Sequence, residues 1–342
     1  MDHQIIWFAL WGILWAAYFM TDGFDLGVGI VYPLLGRSDT DRRLLLNTIG
    51  PVWDGNKVWL VAAGGATFAA FPTAYALLFS YLYIPFFLIL AGLIFRGVAL
   101  EFRGKGEGAL WRTAWDVAFF IGSLLAAFLF GVVFGNLFQG LPMDAHGYTG
   151  SLTGLFHPYG LVTGCLFTVL FMTHGVVWVA LKTSGDLAAR AQILALACWV
   201  ALLVVTVLFL VFTTFVTPLW INYLEAPPWL AVPLLAVAAL AVIGVLIRRA
   251  AWGWAFFASS ILVVAVVFTG VIGLFPNLIP SSLDPRYSLT LYNASSSPYT
   301  LRIMTFVAAV FVPLIIAYQI WVYRVFKGTV NTGDVARGKD AY

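Results

Sequence analysis

Charge is the scarcest property of this sequence: Lys, Arg, Asp and Glu make up 10% of its 342 residues, while 62% are hydrophobic and the mean hydropathy is +0.96. So few polar side chains cannot clothe a water-soluble domain around one buried core, and that class is excluded. Cysteine is nearly absent. Cys165 and Cys198 lie inside apolar runs with no CxxC or histidine spacing around them, which excludes a disulfide framework and a zinc site and leaves two small hydrophobes. Histidine is limited to His3, His146, His157 and His174, and only His174 falls well inside an apolar run. A heme held between two facing histidines of this chain is therefore not expected, and His174 is read as a hydrogen-bonded packing or interface residue. The polar connectors are too short for a soluble catalytic domain and carry no phosphate-binding glycine loop, Ser-His-Asp set, metal cage or nucleic-acid module.

What is present is apolar sequence of membrane-crossing length, repeated with polar connectors between. A helix crossing a hydrocarbon layer of roughly 30 Å needs about 20 apolar residues. Runs of that size occupy about 5–33, 51–71, 73–100, 114–138, 158–181, 191–219, 229–247, 253–278 and 303–326. Barrel strands would alternate in shorter, weaker segments, so helices are implied. The first run has no basic stretch before it and no small-residue cleavage site after it, and is read as a retained span. No charged side chain lies between Val58 and Phe95, a stretch too long for one crossing, and Phe71-Pro72-Thr73 is the place to turn. Pro51 fits the first position of the second helix, which puts Asp54 in its first turn. The expected fold is an all-α membrane protein of about nine transmembrane helices forming one integral membrane domain over 1–342.

Basic residues set the orientation. Arg37, Arg42, Arg43, Lys57, Arg96, Arg103, Lys105, Arg112, Lys182, Arg190, Arg248, Arg249, Arg324, Lys327, Arg337 and Lys339 fall on one side of that topology, and only Arg286 and Arg302 on the other. By the positive-inside rule the N-terminus is outside and the C-terminus cytoplasmic. Tryptophans near span ends, among them Trp7, Trp53, Trp111, Trp115, Trp220, Trp229, Trp252, Trp254 and Trp321, form the expected interfacial belt. Phe134-Gly135-Asn136-Leu137-Phe138 with Pro142 echoes Phe275-Pro276-Asn277-Leu278-Ile279 with Pro280. The echo suggests two four-helix bundles, 1–142 and 150–282, followed over 283–342 by an outer loop, a ninth helix and a cytoplasmic tail.

Three polar clusters stand out against the apolar background. Asp22 and Asp25 are three apart on one helix face, inside a glycine-rich run with Gly23, Gly27 and Gly29. Trp53-Asp54-Gly55-Asn56-Lys57-Val58-Trp59 opens the second span, and Arg96, followed by Glu101, closes the third. Carboxylates in a membrane helix are costly and call for a reason. Two readings stand: Asp25, Asp54 and Arg96 form a buried group that admits protons from the cytoplasm, or they are ion pairs and snorkelling side chains that tie helices together. For Asp54 with Lys57, three apart at a helix end, the ion pair is preferred. The polar loop from Pro280 to Pro298 has no nucleophile and base pairing and is read as an ordered cap against a partner.

Taken together, Thr21-Asp22-Gly23-Phe24-Asp25-Leu26-Gly27-Val28-Gly29, Trp53-Asp54-Gly55-Asn56 with Val58-Trp59, Phe95-Arg96, Phe134-Gly135-Asn136 with Gly140, and Leu291-Tyr292-Asn293-Ala294-Ser295-Ser296 resemble subunit II of the cytochrome bd quinol oxidases, including the cyanide-insensitive branch. The resemblance runs in order along almost the whole chain. It implies a complex in the bacterial cytoplasmic membrane that oxidises quinol and reduces O2 to water, building a proton motive force. Subunit I would carry the b and d hemes, and this chain would supply structure and access routes with no heme ligand and no complete active site of its own. It further implies a proton path through Asp54, Asp25, Arg96 and Asp22, and an oxygen route at Trp59, which a packed aromatic explains equally. Small single-span accessory subunits and a structural quinone or lipid are left open. Lys57 departs from the Gln or Glu of many relatives, and a cation beside Asp54 would make it a poorer proton carrier. The competing class is a proton-coupled secondary transporter, against which stands the lack of a matching acid pair in spans five to eight. A stand-alone membrane cytochrome is disfavoured by the single deep histidine.

Overall fold

A computed structural model describes residues 2–331, so Arg337 and Lys339 lie outside the described residues. The described residues are mainly helical and form twelve α-helices: α1 (His3–Leu35), α2 (Asp39–Ile49), α3 (Trp53–Ala70), α4 (Pro72–Tyr81), α5 (Tyr83–Phe102), α6 (Ala109–Gln139), α7 (Pro158–Lys182), α8 (Gly185–Val216), α9 (Ile221–Glu225), α10 (Ala231–Arg248), α11 (Trp252–Leu274) and α12 (Pro298–Val325). Two small antiparallel hairpins, β1 (Met143–Asp144) with β2 (Gly147–Tyr148) and β3 (Asn277–Ile279) with β4 (Leu289–Thr290), sit in the connections on the face opposite the basic loops. Among the described residues, eight helices are each long and apolar enough to cross a membrane, and the bent pair of α3 and α4 brings the number to nine.

The turn expected at Phe71-Pro72 is present: α3 and α4 meet there at 116°. Pro72 is the first residue of α4, where a missing N–H costs nothing. Two local expectations are corrected. The third run is not one helix from 73 to 100 but is interrupted at Leu82. Pro85 in the first turn of α5 has no N–H to offer the Tyr81 carbonyl, which ends α4 there. Pro51 lies in the turn before α3 rather than at its first position, although Asp54 does fall in the first turn.

The long connector after α1 folds into α2, an amphipathic helix capped by Ser38 and Asp41 that bond each other's backbone N–H groups. Its Leu44, Leu45 and Ile49 are buried, and the Trp178 indole N–H donates to the Thr48 carbonyl at 3.0 Å, fixing α2 against α7. On the same face Asp116 of α6 accepts hydrogen bonds from Tyr32, Arg42 and Arg103 at 2.5–2.7 Å, and Arg103 reaches on to Asp39. Burial opposes the charge of Asp39, but the hydrogen bond from Arg103 and the positive charges of Arg103, Arg112 and Arg43 together outweigh it and hold the carboxyl below its usual value.

The hub is α1, which packs on α3, α6, α7, α11 and α12. Lipid offers apolar side chains no reason to leave it, so tight helix association rests on close packing and small residues. At the α1–α7 crossing Gly27 and Gly175 face each other, and a Cβ on Gly175 would lie 2.5 Å from the Gly27 carbonyl carbon. The outlier is α12, whose apolar window has no buried residue. It packs partly buried side chains such as Ala308 and Ile315 against the core and is hydrogen-bonded at both ends. At one end the Trp7 indole donates to the Leu301 carbonyl at 3.0 Å, and at the other the Lys182 ammonium donates to the Phe326 carbonyl at 2.5 Å. The 280–298 loop caps this chain's own helices: Ser296 donates through its N–H and hydroxyl to the Ala70 and Ala69 carbonyls, and Gln4 donates to Ser295.

Candidate functional site

Five helices bring one polar cluster together in the apolar interior. Asp22 and Asp25 come from α1, Asn56 and Lys57 from α3, Arg96 from α5, Ser123 from α6 and Tyr323 from α12. Asp22, Asp25, Asn56, Arg96 and Ser123 each have no exposed surface. The Lys57 ammonium lies 2.5 Å from one Asp22 oxygen, and the Arg96 guanidinium 3.5 Å from the other. Arg96 also donates through Nε to the Ser123 hydroxyl at 3.1 Å and stacks its charge over the Phe119 ring. Asp25 has a different environment. Its Oδ2 accepts from the Asn56 amide at 2.8 Å, and the same amide donates to the Thr21 carbonyl at 2.9 Å. The Tyr323 hydroxyl donates to the Asn56 oxygen at 2.9 Å, which fixes the amide's orientation.

Lys57 and Arg96 therefore point into the bundle, and neither snorkels to a headgroup layer. The expected Asp54–Lys57 pair does not form: Lys57 serves Asp22, and Asp54 is exposed with no ion pair or hydrogen bond among the described residues. An unpaired carboxylate buried in low dielectric is far more costly than one in water, so the cation goes to the buried acid. The cation beside Asp54 that the sequence implied is thus turned away from it. The structure brings Asp22, Asp25 and Arg96 together and leaves Asp54 at the rim.

Several buried polar atoms of the cluster have no hydrogen-bond partner among the described residues: Asp25 Oδ1, Asp22 Oδ1, both terminal nitrogens of Arg96 and the Tyr18 hydroxyl. Buried groups of this kind are ordinarily satisfied by internal water. Beside the cluster, Thr21 and Tyr323 also line an apolar cavity of about 560 Å³ between α12 and helices α1, α3 and α11. Trp59 stands in its wall, buried, with its indole N–H donating to Gln319 at 2.7 Å.

His174 is occupied by the protein. Its Nε2 donates to the Met20 carbonyl at 3.0 Å, and its Nδ1 is hydrogen-bonded to the Ser259 hydroxyl at 2.7 Å. Among the described residues no group of three or more His, Cys, Asp or Glu side chains is placed to hold a metal ion. Sequence reasoning quoted Asn56 without giving it a role and passed over Tyr323, Ser123 and Tyr18. Nothing in a run of apolar sequence marks one tyrosine of α12 as the partner of a residue some 270 positions earlier.

Three comparisons place the chain. Residues 3–326 match the family described as cytochrome bd terminal oxidase subunit II. The chain is 38% identical over 374 aligned positions to the cytochrome bd-I ubiquinol oxidase subunit 2 of Escherichia coli, covering 98% of each protein. It is 39% identical over 330 positions to the cytochrome bd ubiquinol oxidase subunit 2 of Bacillus subtilis, covering 95% of this chain and 96% of that one. Its fold resembles a chain of the bd oxidase structure from Geobacillus thermodenitrificans, with a TM-score of 0.78 at 18% identity, covering 95% of this chain and 99% of the other. With the helical membrane architecture and the full-length match in agreement, the chain belongs to the cytochrome bd terminal oxidase subunit II family, a multi-pass membrane subunit of an oxidoreductase.

Proposed function

We propose that this chain works in the bacterial cytoplasmic membrane as the non-heme partner of a heme-bearing subunit I, in a complex that oxidises quinol and reduces O2 to water. The b and d hemes belong to subunit I, and the basic face carrying α2 is cytoplasmic, with the N-terminus outside. This chain shields the heme subunit from lipid and supplies the route by which protons consumed in water formation enter. Single-span accessory subunits complete the complex.

The observation that carries the proton assignment is the unequal treatment of two fully buried carboxylates. Asp22 faces both cations of the cluster, whereas Asp25 has one amide partner and one oxygen with none among the described residues. Two acids and two bases balance overall, with both cations held at Asp22. Asp25 is then the carboxyl that accepts and passes on a proton, Asp22 and Arg96 set the local field, and exposed Asp54 is the entrance. Trp59 borders an apolar space in which O2 dissolves readily, and that supports an oxygen route there.

The test is quinol-dependent oxygen uptake by the two-subunit complex carrying Asp25→Asn, with the heme spectrum of each preparation recorded. Uptake falls at least about tenfold with the hemes intact, the scale set by losing a proton-transfer group. Wild-type turnover in that variant would remove Asp25 from the path. The transporter reading is disfavoured by the family match and by the membrane helices α7, α8, α10 and α11, whose one acid among the described residues is Asp186 in the first turn of α8.

A further inference from the structure

We propose, on the reading of Asp25 as the proton carrier, that Tyr323 of α12 is a positioning residue for that carboxyl, holding Asn56 so that its amide N–H stays aimed at Asp25. The Asn56 side chain is fully buried and has three partners. Its oxygen accepts from the Tyr323 hydroxyl at 2.9 Å, and its nitrogen donates to Asp25 Oδ2 at 2.8 Å and to the Thr21 carbonyl at 2.9 Å. A side-chain amide has an acceptor at one end and donors at the other, so a hydroxyl held at the oxygen keeps the N–H facing the carboxylate. That N–H favours the charged form of Asp25, and donation into the oxygen polarises the amide and strengthens it.

The ionisable groups around Asp25 are Asp22 and Tyr18 on α1, Lys57 on α3, Arg96 on α5 and Tyr323 on α12. Lys57 and Arg96 are committed to Asp22, and His174 on α7 to the Met20 carbonyl and Ser259. On α6 the nearby polar group is Ser123, which does not titrate and accepts from Arg96. Among the described residues Asn56 is the one hydrogen-bond partner of the Asp25 carboxyl, and Tyr323 is the ionisable side chain that reaches it through Asn56. The apolar window of α12 has no buried residue, yet this tyrosine extends from it into the cluster. Its ring is seated by edge contacts with Phe24 and Trp178, which a phenylalanine retains, so Tyr323→Phe removes the hydroxyl alone. One turn earlier Gln319 makes a second tie from α12 to α3, donating to the Gly55 carbonyl and accepting from Trp59 without touching Asn56. The two ties separate positioning of the amide from attachment of the helix.

Infrared difference spectra of the two-subunit complex, recorded across pH with the Asp25 carboxyl band assigned by its loss in Asp25→Asn, test this. In Tyr323→Phe the heme spectrum is that of wild type, and the protonated-carboxyl band persists about one pH unit further into the alkaline range. The shift is no larger because the Thr21 carbonyl still holds the amide. The alkaline limb of quinol-dependent oxygen uptake moves with the band. Gln319→Met leaves the band's midpoint at the wild-type value, and in an Asn56→Leu background Tyr323→Phe moves it no further, since the hydroxyl acts through the amide. A midpoint unmoved by Tyr323→Phe, or moved as far by Gln319→Met, overturns the proposal. Wild-type uptake in Asp25→Asn would overturn the proton-carrier reading and the role of Tyr323 with it, and is told apart because the band's midpoint is read independently of turnover.

Discussion

Lys57 on α3 places its ammonium 2.5 Å from the carboxylate of Asp22 on α1. The pair is buried, with Asp22 inaccessible and the lysine side chain 17% exposed. Removing one member of a buried pair strands the other, which costs about 3–5 kcal/mol. Asp22 keeps the Arg96 guanidinium at 3.5 Å, so Lys57→Met should lower the thermal stability of the complex by less than that, about 2 kcal/mol, whereas adding Asp22→Asn should lower it further because the buried Arg96 then loses its carboxylate. Equal instability of the single and double variants would show that packing, and not charge balance, holds the cluster.

Asp54 predicts the opposite pattern. It is exposed and unpartnered among the described residues, so Asp54→Asn leaves stability within about 0.5 kcal/mol of wild type and the heme spectrum unchanged. Quinol-dependent oxygen uptake should nevertheless fall several-fold, the decline being steepest at alkaline pH where protons are scarce. Uptake equal to wild type across the pH range would take Asp54 out of the entrance.

The crossing of α1 and α7 tolerates no side chain at Gly27, where a Cβ would overlap the Phe171 backbone carbonyl. Backbone cannot turn aside as a side chain can, and Gly27→Ala should cost about 3 kcal/mol or more. Heme-bearing complex recovered from membranes should drop sharply. Gly253→Ala is the matched control: nothing lies within 4 Å of its Cβ position, and the change should stay below about 1 kcal/mol. Similar yields from the two variants would contradict the close approach.

The connection of α2 to α8 should be sensitive to acid. Burial alone would raise the Asp41 carboxyl, but the Arg190 ion pair at 2.8 Å and the Ser38 cap outweigh it and hold the pKa below the usual value. A carboxyl whose pKa is lowered on folding contributes stability that is present above the unfolded value of about 4 and lost as pH falls through the folded one. Wild type should thus lose up to about 1 kcal/mol more than Asp41→Asn on acidification below that range, the scale of a partly exposed pair. Identical acid profiles in differential scanning calorimetry would show that the pair contributes nothing.

Much of this could be read in advance from particular residues. Pro72 in a long uncharged stretch located the 116° turn between α3 and α4, because a proline starts a helix more easily than it continues one. Asp22, Asp25 and Arg96 announced themselves as ionisable groups in apolar surroundings. Asp116 carried the same signal inside the fourth run, and its network with Tyr32, Arg42 and Arg103 went unread. Spacing along one helix pointed Lys57 toward Asp54, and that inference failed. Local spacing says which side chains are neighbours on a helix, but the cost of burying an unpaired charge decides which neighbour is served.

The sequence by itself determined the solvent, the helical class and the approximate number of crossings, since these follow from the length and apolar character of each run and from the need to satisfy every backbone group in lipid. Tertiary structure alone decided that Asp22 takes both cations, that Asn56 links Asp25 to Tyr323, and that α12 stands off to enclose a cavity. Those outcomes depend on how each helix is rotated and crossed against the others. That is set by close contacts such as Gly27 on Gly175, and no pattern along a single helix encodes the partner's rotation.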